Sequence, residues 1–343
     1  MAFKEYLEQR FLSEWKPRAP HLYVSALSIK DRVGKVEGAC LRKEWFRLQN
    51  CRPTDHQNLR NRVIFGCGNV IEDKVVEQLK LADRLISQGV KLYWSKLNLS
   101  GEIDIIARDD EDTLSFIEVK SYAGYFSKNQ ILGPSKKTGG GGYTRRGPGT
   151  PRESHLMQLG MYLVMCSKAD VKEGYKSQYE VDEMQELIKD IDTGYLLYVD
   201  REAPEQLAEF KVKIQDGGIW YRAVGFEKTE PVLFCNIEDI TSRCQELTNH
   251  HINNTVPPRD FSSLYDKEQL ADAYRRGEMT AKEAKTYEAD GWVRKDDWQC
   301  RAFKDGNDEL HGLYCQYFKL CQLVDLEEFK LEDHQVPQEE TNN

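Results

Sequence analysis

Two apolar runs joined by an acidic turn, GEIDIIARDDEDTLSFIEVK over 101–120, restrict the possible fold of this chain more than any other segment. Short β-rich runs separated by turn residues are typical of adjacent strands. Because side chains two positions apart share a face of a strand, Glu118 and Lys120 point to the same side, and Asp104 can meet them from the neighbouring strand. Two carboxylates beside an ammonium can hold a divalent cation and a water nucleophile for phosphodiester cleavage. An ordinary hairpin with a charged, solvated face explains the same residues.

The composition is that of a folded protein without membrane segments. The chain has 343 residues, of which 40% are hydrophobic, enough to bury a sizeable core. No apolar run has membrane-spanning length, and the start MAFKEYLEQRFLSEWK mixes charged with apolar residues, unlike a signal peptide. We therefore expect a cytoplasmic protein with no membrane partner. The formal net charge of -9 argues weakly against nonspecific polyanion binding, although it says little about any one face.

The order of elements predicts an α/β protein. Helical spacing covers 68–85 and 155–167, and short β-rich runs cover 90–99, 102–107 and 114–120. We expect a single domain over 1–325, with a core at 62–235 and a helical portion made of 20–61 and 255–325. The acidic tail at 326–343 is expected to be disordered.

A basic segment follows the second strand directly. Between 121 and 153 glycine and proline dominate, so we expect a mobile loop with no packed element. Its cations and aromatic residues suit phosphate contacts and base stacking on single strands, although an unstructured insertion is the alternative. The cations expected to bind nucleic acid are Lys128, Lys136, Lys137, Arg145 and Arg146.

Four of the nine cysteines stand out by position. Cys300, Cys315 and Cys321 lie close together among aromatic residues near the C-terminal end, and Cys40 in the N-terminal region could complete a set of four. An odd number of cysteines without a secretion signal makes a disulfide framework the weaker interpretation and metal ligation the better one. Four thiolates suit a [4Fe-4S] cluster and a tetrahedral zinc ion equally well by count.

The order of these motifs resembles the PD-(D/E)XK nuclease superfamily in its RecB-like branch. The cysteine arrangement resembles the iron-sulfur subgroup of that branch, which includes CRISPR-associated RecB-like exonucleases, AddB-type nucleases and phage relatives. The matching pieces, in chain order, are Gly68 to Glu72, Gly101 to Asp104, Glu118 to Lys120, and Gln158 to Tyr162.

The resemblance implies a divalent-metal site on the paired strands. Asp104 and Glu118 would bind Mg²⁺ or Mn²⁺ together with the backbone carbonyl of Val119. Lys120 would position or activate the attacking water and stabilise the developing phosphate charge.

Two helices would complete this site. Gln158 and Tyr162, one helical turn apart, would line the cleft and orient the DNA strand or Lys120, with helix packing as their alternative role. Glu72 would be a further metal ligand. It departs from the histidine that many iron-sulfur members carry there, and a solvated helix position is its alternative.

The cysteine spacing also departs from the family. The family usually has two residues between the first two C-terminal cysteines, whereas this chain has fourteen, RAFKDGNDELHGLY. This polar, turn-rich insertion can loop out while the ligands converge. His311 and Cys51 are the alternative ligands to Cys300.

The resemblance implies a restriction-endonuclease-like core, a central mixed sheet flanked by helices, with a helical iron-sulfur portion formed by both chain ends. The expected function is a metal-dependent DNA nuclease, an exonuclease acting on single-stranded ends, with a structural [4Fe-4S] cluster. The alternatives are a non-catalytic DNA-binding or recombination partner of the same fold and a zinc-stabilised nuclease.

Overall fold

In a computed structural model, the chain divides into two compact units. We call residues 21–39 and 64–249 the sheet unit, and residues 1–20, 40–63 and 250–343 the terminal unit. The structure describes residues 19–30, 35–55, 59–109, 111–137, 143–145, 147–261, 271, 274–275, 277, 280–282, 284–285, 300, 302–304, 310–312 and 314–336.

A mixed sheet forms the centre of the sheet unit. Its described strands run in the order β10-β4-β5-β6-β11-β12-β13-β14, with β9 beside β4 and β1 beside β5. The pairs β6–β11 and β1–β5 are parallel, and the other pairs are antiparallel. The strands are β1 (Leu22–Tyr23), β4 (Leu85–Trp94), β5 (Leu99–Arg108), β6 (Leu114–Tyr122), β9 (Asp170–Lys172), β10 (Lys176–Ser177), β11 (Thr193–Asp200), β12 (Leu207–Gln215), β13 (Gly218–Ala223) and β14 (Val232–Asn236).

Helices and small strand pairs are also present among the described residues, so the expected α/β class with a central mixed sheet is confirmed. Two small hairpins pair β2 (Ser28–Lys30) with β3 (Val36–Gly38) and β7 (Ser135–Lys137) with β8 (Tyr143–Arg145). The described helices of the chain are α1 (Leu41–Leu48), α2 (Leu59–Leu81), α3 (Tyr125–Leu132), α4 (Glu153–Met165), α5 (Val181–Ile188), α6 (Ile237–Ile252) and α7 (Phe318–Asp325). No helix among the described residues is long and apolar enough to cross a membrane.

Helix α2 covers one face of β5 and β6. Its apolar side chains recur at intervals of three and four residues, the spacing that places them on one side of a helix. They pack with Ile105, Ala107 and Val119 from the strands. The helix residues in this core are Ile71, Val75, Val76 and Leu79. The helix stops at Leu81, earlier than predicted, because Asp83 takes a left-handed conformation (φ 57°) before β4 begins.

The prediction of a loop without packed elements over 121–153 is wrong. This segment forms α3 and the β7–β8 hairpin, and it buries Ile131 and Leu132. Gly149 permits the close packing, since a Cβ there would lie 1.8 Å from the carbonyl oxygen of Ile131. Residues 138–142 and 146 lie outside the described part of the chain.

The terminal unit has an aromatic core. The ring of Phe46 on α1 lies 5.7 Å from that of Tyr317 and 5.4 Å from that of Phe329. The prediction of a disordered tail is therefore wrong for 326–336. In that stretch Val336 is buried, and Gln335 Nε2 donates to the backbone oxygen of Gln49 at 3.1 Å. Residues 337–343 lie outside the described residues.

Candidate active site and cysteine site

The site predicted from the hairpin lies where β5 and β6 separate. Their antiparallel pairing runs from Arg108–Leu114 to Ile105–Ile117 and ends there. Asp104 and Glu118 are the next residues on the two strands. Beyond them, Leu99 and Ser100 of β5 pair with β1. We call the position of Asp104 and Glu118 the fork.

At the fork a side chain replaces a backbone acceptor. The backbone N–H of Val119 donates to Asp104 Oδ2 at 3.0 Å. The Val119 side chain packs into the core under α2, so its backbone alone is near the two acids.

Glu118 is buried and only half satisfied. The ammonium of Lys120 forms an ion pair with Glu118 Oε1. Glu118 Oε2 is also buried, and among the described residues it has no hydrogen-bond partner. Because burying an unpaired carboxylate oxygen is costly, the fork presents an acceptor that a cation or a donor would satisfy.

The charges at the fork strengthen this demand for a cation. Burial, followed by the charge of Glu118, raises the pKa of Asp104 to about 8. Burial also raises the pKa of Glu118, although the Lys120 ammonium opposes the shift. For Lys120, burial disfavours the charged form, but the charges of Glu118 and Asp104 outweigh it and raise its pKa. Asp104 and Glu118 also share a side-chain hydrogen bond, which raises the pKa of Asp104 and lowers that of Glu118, so the two acids are held close together beside the Lys120 ammonium.

Helix α2 brings Glu72 to the same cluster. Burial and then the charge of Asp104 raise the pKa of Glu72, while a hydrogen bond from the side chain of Gln88 opposes the shift. Gln88 on β4 is a site residue that was not predicted. A strand glutamine carries no motif, and its position opposite Ile105 on β5 could be known only from the strand pairing.

Helix α4 supplies Gln158 and Tyr162 to the fork. Gln158 Nε2 donates to the Tyr162 hydroxyl at 3.0 Å. Burial and then the charges of Glu118 and Asp104 raise the pKa of Tyr162, whose ring packs against Gly101 of β5. Gly101 makes room for this ring, because a Cβ at Gly101 would lie 2.5 Å from Tyr162 Cε1.

His155, one turn before Gln158, contacts Tyr198. Its Nδ1 lies 2.7 Å from the Tyr198 hydroxyl, and that hydroxyl accepts the backbone N–H of Arg152 at 3.1 Å. Tyr198 is directly opposite Lys120 on the parallel strand β11. Burial and then the charge of Lys120 lower the pKa of His155 well below its usual range. Tyr198 was also not predicted, because nothing in the sequence reveals this register.

The predicted nucleic-acid contacts fall on α3 and the β7–β8 hairpin. Lys128 on α3 forms an ion pair with the buried Asp200 of β11, with Nζ 3.2 Å from Oδ2. Lys136 and Lys137 lie on β7, and Arg145 lies on β8. Arg146 is outside the described residues.

The four cysteines predicted as cluster ligands all belong to the terminal unit. Cys40, Cys300, Cys315 and Cys321 are all buried. Burial and then the charges of the other three thiols raise the pKa of Cys300. Burial, together with the charges of Cys315 and Cys40, raises the pKa of Cys321 to about 12. These electrostatic interactions connect Cys300 with the other three cysteines.

Two strands within the fourteen-residue insertion pair as a hairpin. Strand β15 (Ala302–Lys304) pairs antiparallel with β16 (Leu310–Gly312), and Ala302 lies opposite Gly312. Cys300 is two residues before this pair and Cys315 three residues after it, so both lie at the open end of the hairpin. The unusual spacing therefore does not separate these two cysteines.

Asp55 holds the segment around Cys315. Its Oδ1 accepts the backbone N–H of Gly312 at 2.9 Å, and its Oδ2 accepts that of Lys319, at the start of α7, at 3.3 Å. Gly312 permits the tight turn, because a Cβ there would lie 2.4 Å from the carbonyl oxygen of Cys315.

The two alternative ligands, His311 and Cys51, contact other residues. His311 Nδ1 lies 3.7 Å from Asp55 Oδ1, and Cys51 forms an isolated β-bridge with Gln335. Burial raises the pKa of Cys51 to about 12. Within the part of the chain that the structure describes, no three His, Cys, Asp or Glu side chains are placed to hold one metal ion.

Comparisons with known proteins give no family. No family model and no curated protein matches this chain. Among solved structures, the crystal structure of SSO0001 is similar over 75% of this chain and 86% of that chain, with 15% sequence identity and a TM-score of 0.32. A likeness of this degree carries no argument about function.

Proposed function

We propose that this chain is a metal-dependent deoxyribonuclease that hydrolyses phosphodiester bonds at single-stranded DNA ends. The observation that carries the proposal is the buried, unpaired Oε2 of Glu118 beside the carboxylate of Asp104. The finer fold belongs to the same proposal: the sheet unit is a restriction-endonuclease-like core, and the terminal unit is its iron-sulfur portion.

The donors at the fork suit Mg²⁺ or Mn²⁺. Asp104 and Glu118 supply carboxylate oxygens, the ligands that hard divalent cations prefer, and Glu72 and the Val119 carbonyl can add to them. When bound, such a cation lowers the pKa of a coordinated water and stabilises charge on the phosphate.

The residues around the acids have separate tasks in hydrolysis. The oxygen of water adds to phosphorus, the bond from phosphorus to the leaving sugar oxygen breaks, and that oxygen takes up a proton. Lys120 can donate a hydrogen bond to the attacking water or to a phosphate oxygen, because its ammonium already lies at Glu118. Gln158 and Tyr162 fix the wall of the site through their mutual hydrogen bond.

The donors at the cysteine site suit a [4Fe-4S] cluster. Four buried thiols interact with one another, and the cations Lys43 and Arg259 lie near enough to lower the pKa values of Cys315 and Cys300 against their burial. A cluster bound by four thiolates carries a net negative charge, which nearby cations stabilise.

The nuclease is tested with end-labelled single- and double-stranded DNA, in Mg²⁺, in Mn²⁺ and in chelator. Asp104→Asn and Lys120→Ala should each reduce cleavage by about a hundredfold or more, with an unchanged circular dichroism spectrum. Glu111→Gln, an exposed acid in the turn of the same hairpin, should cleave like the unmodified protein.

Undiminished cleavage by both variants would refute the proposed site. DNA binding without cleavage by the unmodified protein under all metal conditions would favour the non-catalytic partner. Iron and sulfide analysis after anaerobic purification, with a visible spectrum, distinguishes the cluster from zinc, which gives a colourless protein.

A further inference from the structure

One carboxylate links two of the chain segments that carry the cysteines. Asp325 accepts from Arg42 Nη1 at 2.7 Å and forms a second ion pair with Arg259 Nη2. Arg42 follows Cys40 by two residues, and Asp325 lies one helical turn after Cys321 on α7. Both ion pairs form from protein atoms alone.

The segment that carries Arg259 also touches the neighbours of two cysteines. Asp260 Oδ2 accepts the backbone N–H of Leu41, next to Cys40, at 2.6 Å. The thiol of Cys300 donates to the carbonyl oxygen of Phe261 at 3.6 Å. Residues 259–261 thus lie against the site that the four thiols form.

One N–H group of Arg259 makes no hydrogen bond among the described residues. Its Nε is buried and has no hydrogen-bond partner among the described residues. The corresponding atom of Arg42 donates to the carbonyl oxygen of Pro257 at 2.8 Å. The charge of Arg259 also lowers the pKa of Cys300 and of Cys321 against the effect of their burial. A buried N–H without an acceptor costs about 1–3 kcal/mol, which an acceptor in the site would recover.

We propose that Arg259 donates its Nε–H to a sulfur of the cysteine-bound cluster, that Asp325 holds it in place, and that this pair sets the cluster's reduction potential. The inference rests on the proposed [4Fe-4S] cluster. Reduction adds an electron to a group that is already negative, so a cationic N–H donor favours the reduced form. Asp325, an anion behind Arg259, opposes this effect.

The test compares Arg259→Gln, Arg259→Lys and Asp325→Asn with the unmodified protein. Iron and sulfide content and optical redox titration are the measurements. Arg259→Gln should shift the equilibrium toward the oxidised cluster by about tenfold, the low end for one charge-assisted hydrogen bond. Arg259→Lys should shift it less. Asp325→Asn keeps an oxygen acceptor that can hold Arg259 and removes the negative charge, so it should shift the equilibrium in the opposite direction. The matched control is Arg47→Gln, since Arg47 pairs with Glu44 within α1, and it should leave the potential unchanged.

The opposite signs separate this role from simple support of the fold. If Arg259→Gln and Asp325→Asn lose iron equally, or if Arg259→Gln has the potential of the unmodified protein, the inference is overturned. If Arg259→Gln cannot be loaded with iron, Arg259→Lys and Asp325→Asn still give the two opposite shifts. An unmodified protein without iron and sulfide would instead refute the cluster of the proposed function.

Discussion

At the scale of the residue, two local features shape the fork. One is a carboxylate that takes the place of a backbone acceptor, and the other is a glycine that leaves room for an aromatic ring. Asp104 takes the acceptor position for the Val119 N–H where the strand pairing has ended. Gly101, three residues earlier, leaves room for the ring of Tyr162. Both effects are set by side-chain size and by acceptor geometry, so single substitutions should expose them.

Gly101→Ala should destabilise the protein by about 1–3 kcal/mol, because the added methyl overlaps the Tyr162 ring and a methyl group of Val24. Gly68→Ala is the matched control. A Cβ at Gly68 meets only Ser121 Oγ, at 3.8 Å, so the change should be neutral or stabilise α2 by up to about 1 kcal/mol. Urea unfolding of both variants measures the difference, and equal effects would contradict this account of Gly101.

His155 should make the stability depend on pH. Its pKa is lowered in the folded protein, by burial and then by Lys120, so protonation favours unfolding. The contribution of His155 to the free energy of unfolding should be fully present above the pKa of an unfolded histidine, about 6.5. As the pH falls below that value, the free energy of unfolding should decrease by up to about 1.4 kcal/mol per pH unit. His155→Gln should flatten this dependence in thermal unfolding on both sides of that pH. Parallel pH profiles for the two proteins would rule out the contribution of His155.

At the scale of the element, the hairpin of β15 and β16 brings Cys300 and Cys315 to its open end. Its register is held from outside by Asp55, which accepts the backbone N–H of Gly312 on β16 and that of Lys319 on α7. A carboxylate that serves two elements fixes their relative position more firmly than the short ladder can.

Asp55→Ala should therefore destabilise the terminal unit by roughly 3 kcal/mol, since it leaves two N–H groups without their charged acceptor. It should also reduce the iron content of the purified protein. Thr54→Ala removes a hydroxyl that donates to the same carboxylate at 2.9 Å and should cost about 1 kcal/mol. Denaturant unfolding and iron analysis check both, and a normal iron content in Asp55→Ala would count against the positioning of Cys315.

At the scale of the whole molecule, segments from opposite ends of the sequence build the terminal unit. Cys40 comes from one end, and Cys300, Cys315 and Cys321 come from the other. Ligation of the proposed cluster across such a separation would close a very long loop, so its binding would contribute directly to folding.

Cys40→Ala should lower the iron content to roughly half or less and lower the unfolding temperature, because one of four ligands is lost. Cys244→Ala, which changes a buried thiol of the sheet unit, should keep the iron of the unmodified protein. Iron analysis and calorimetry of the two variants are sufficient. Equal iron in both would exclude Cys40 as a ligand.

The sequence alone predicted the features that depend on residues close together in the chain. Alternation of side chains predicted the β5–β6 hairpin, and helical spacing predicted α2 and α4, because each depends on residues a few positions apart. The same patterns selected Asp104, Glu118 and Lys120 as one group. These patterns gave wrong predictions for 121–153, where Ile131 is buried, and for 326–336, where Phe329 packs against Phe46, which is distant in sequence.

The tertiary structure was needed for everything that joins distant segments. The separation of β5 from β6, the pairing of β1 with β5, and the places of Gln88 and Tyr198 follow from strand register across the sheet. The hydrogen bond from the Leu41 backbone, next to Cys40, to Asp260 likewise depends on long-range packing. Residue type and spacing therefore established which groups could act together. The three-dimensional contacts established where, among the described residues, an acceptor of Glu118 and a donor of Arg259 are buried without a hydrogen-bond partner.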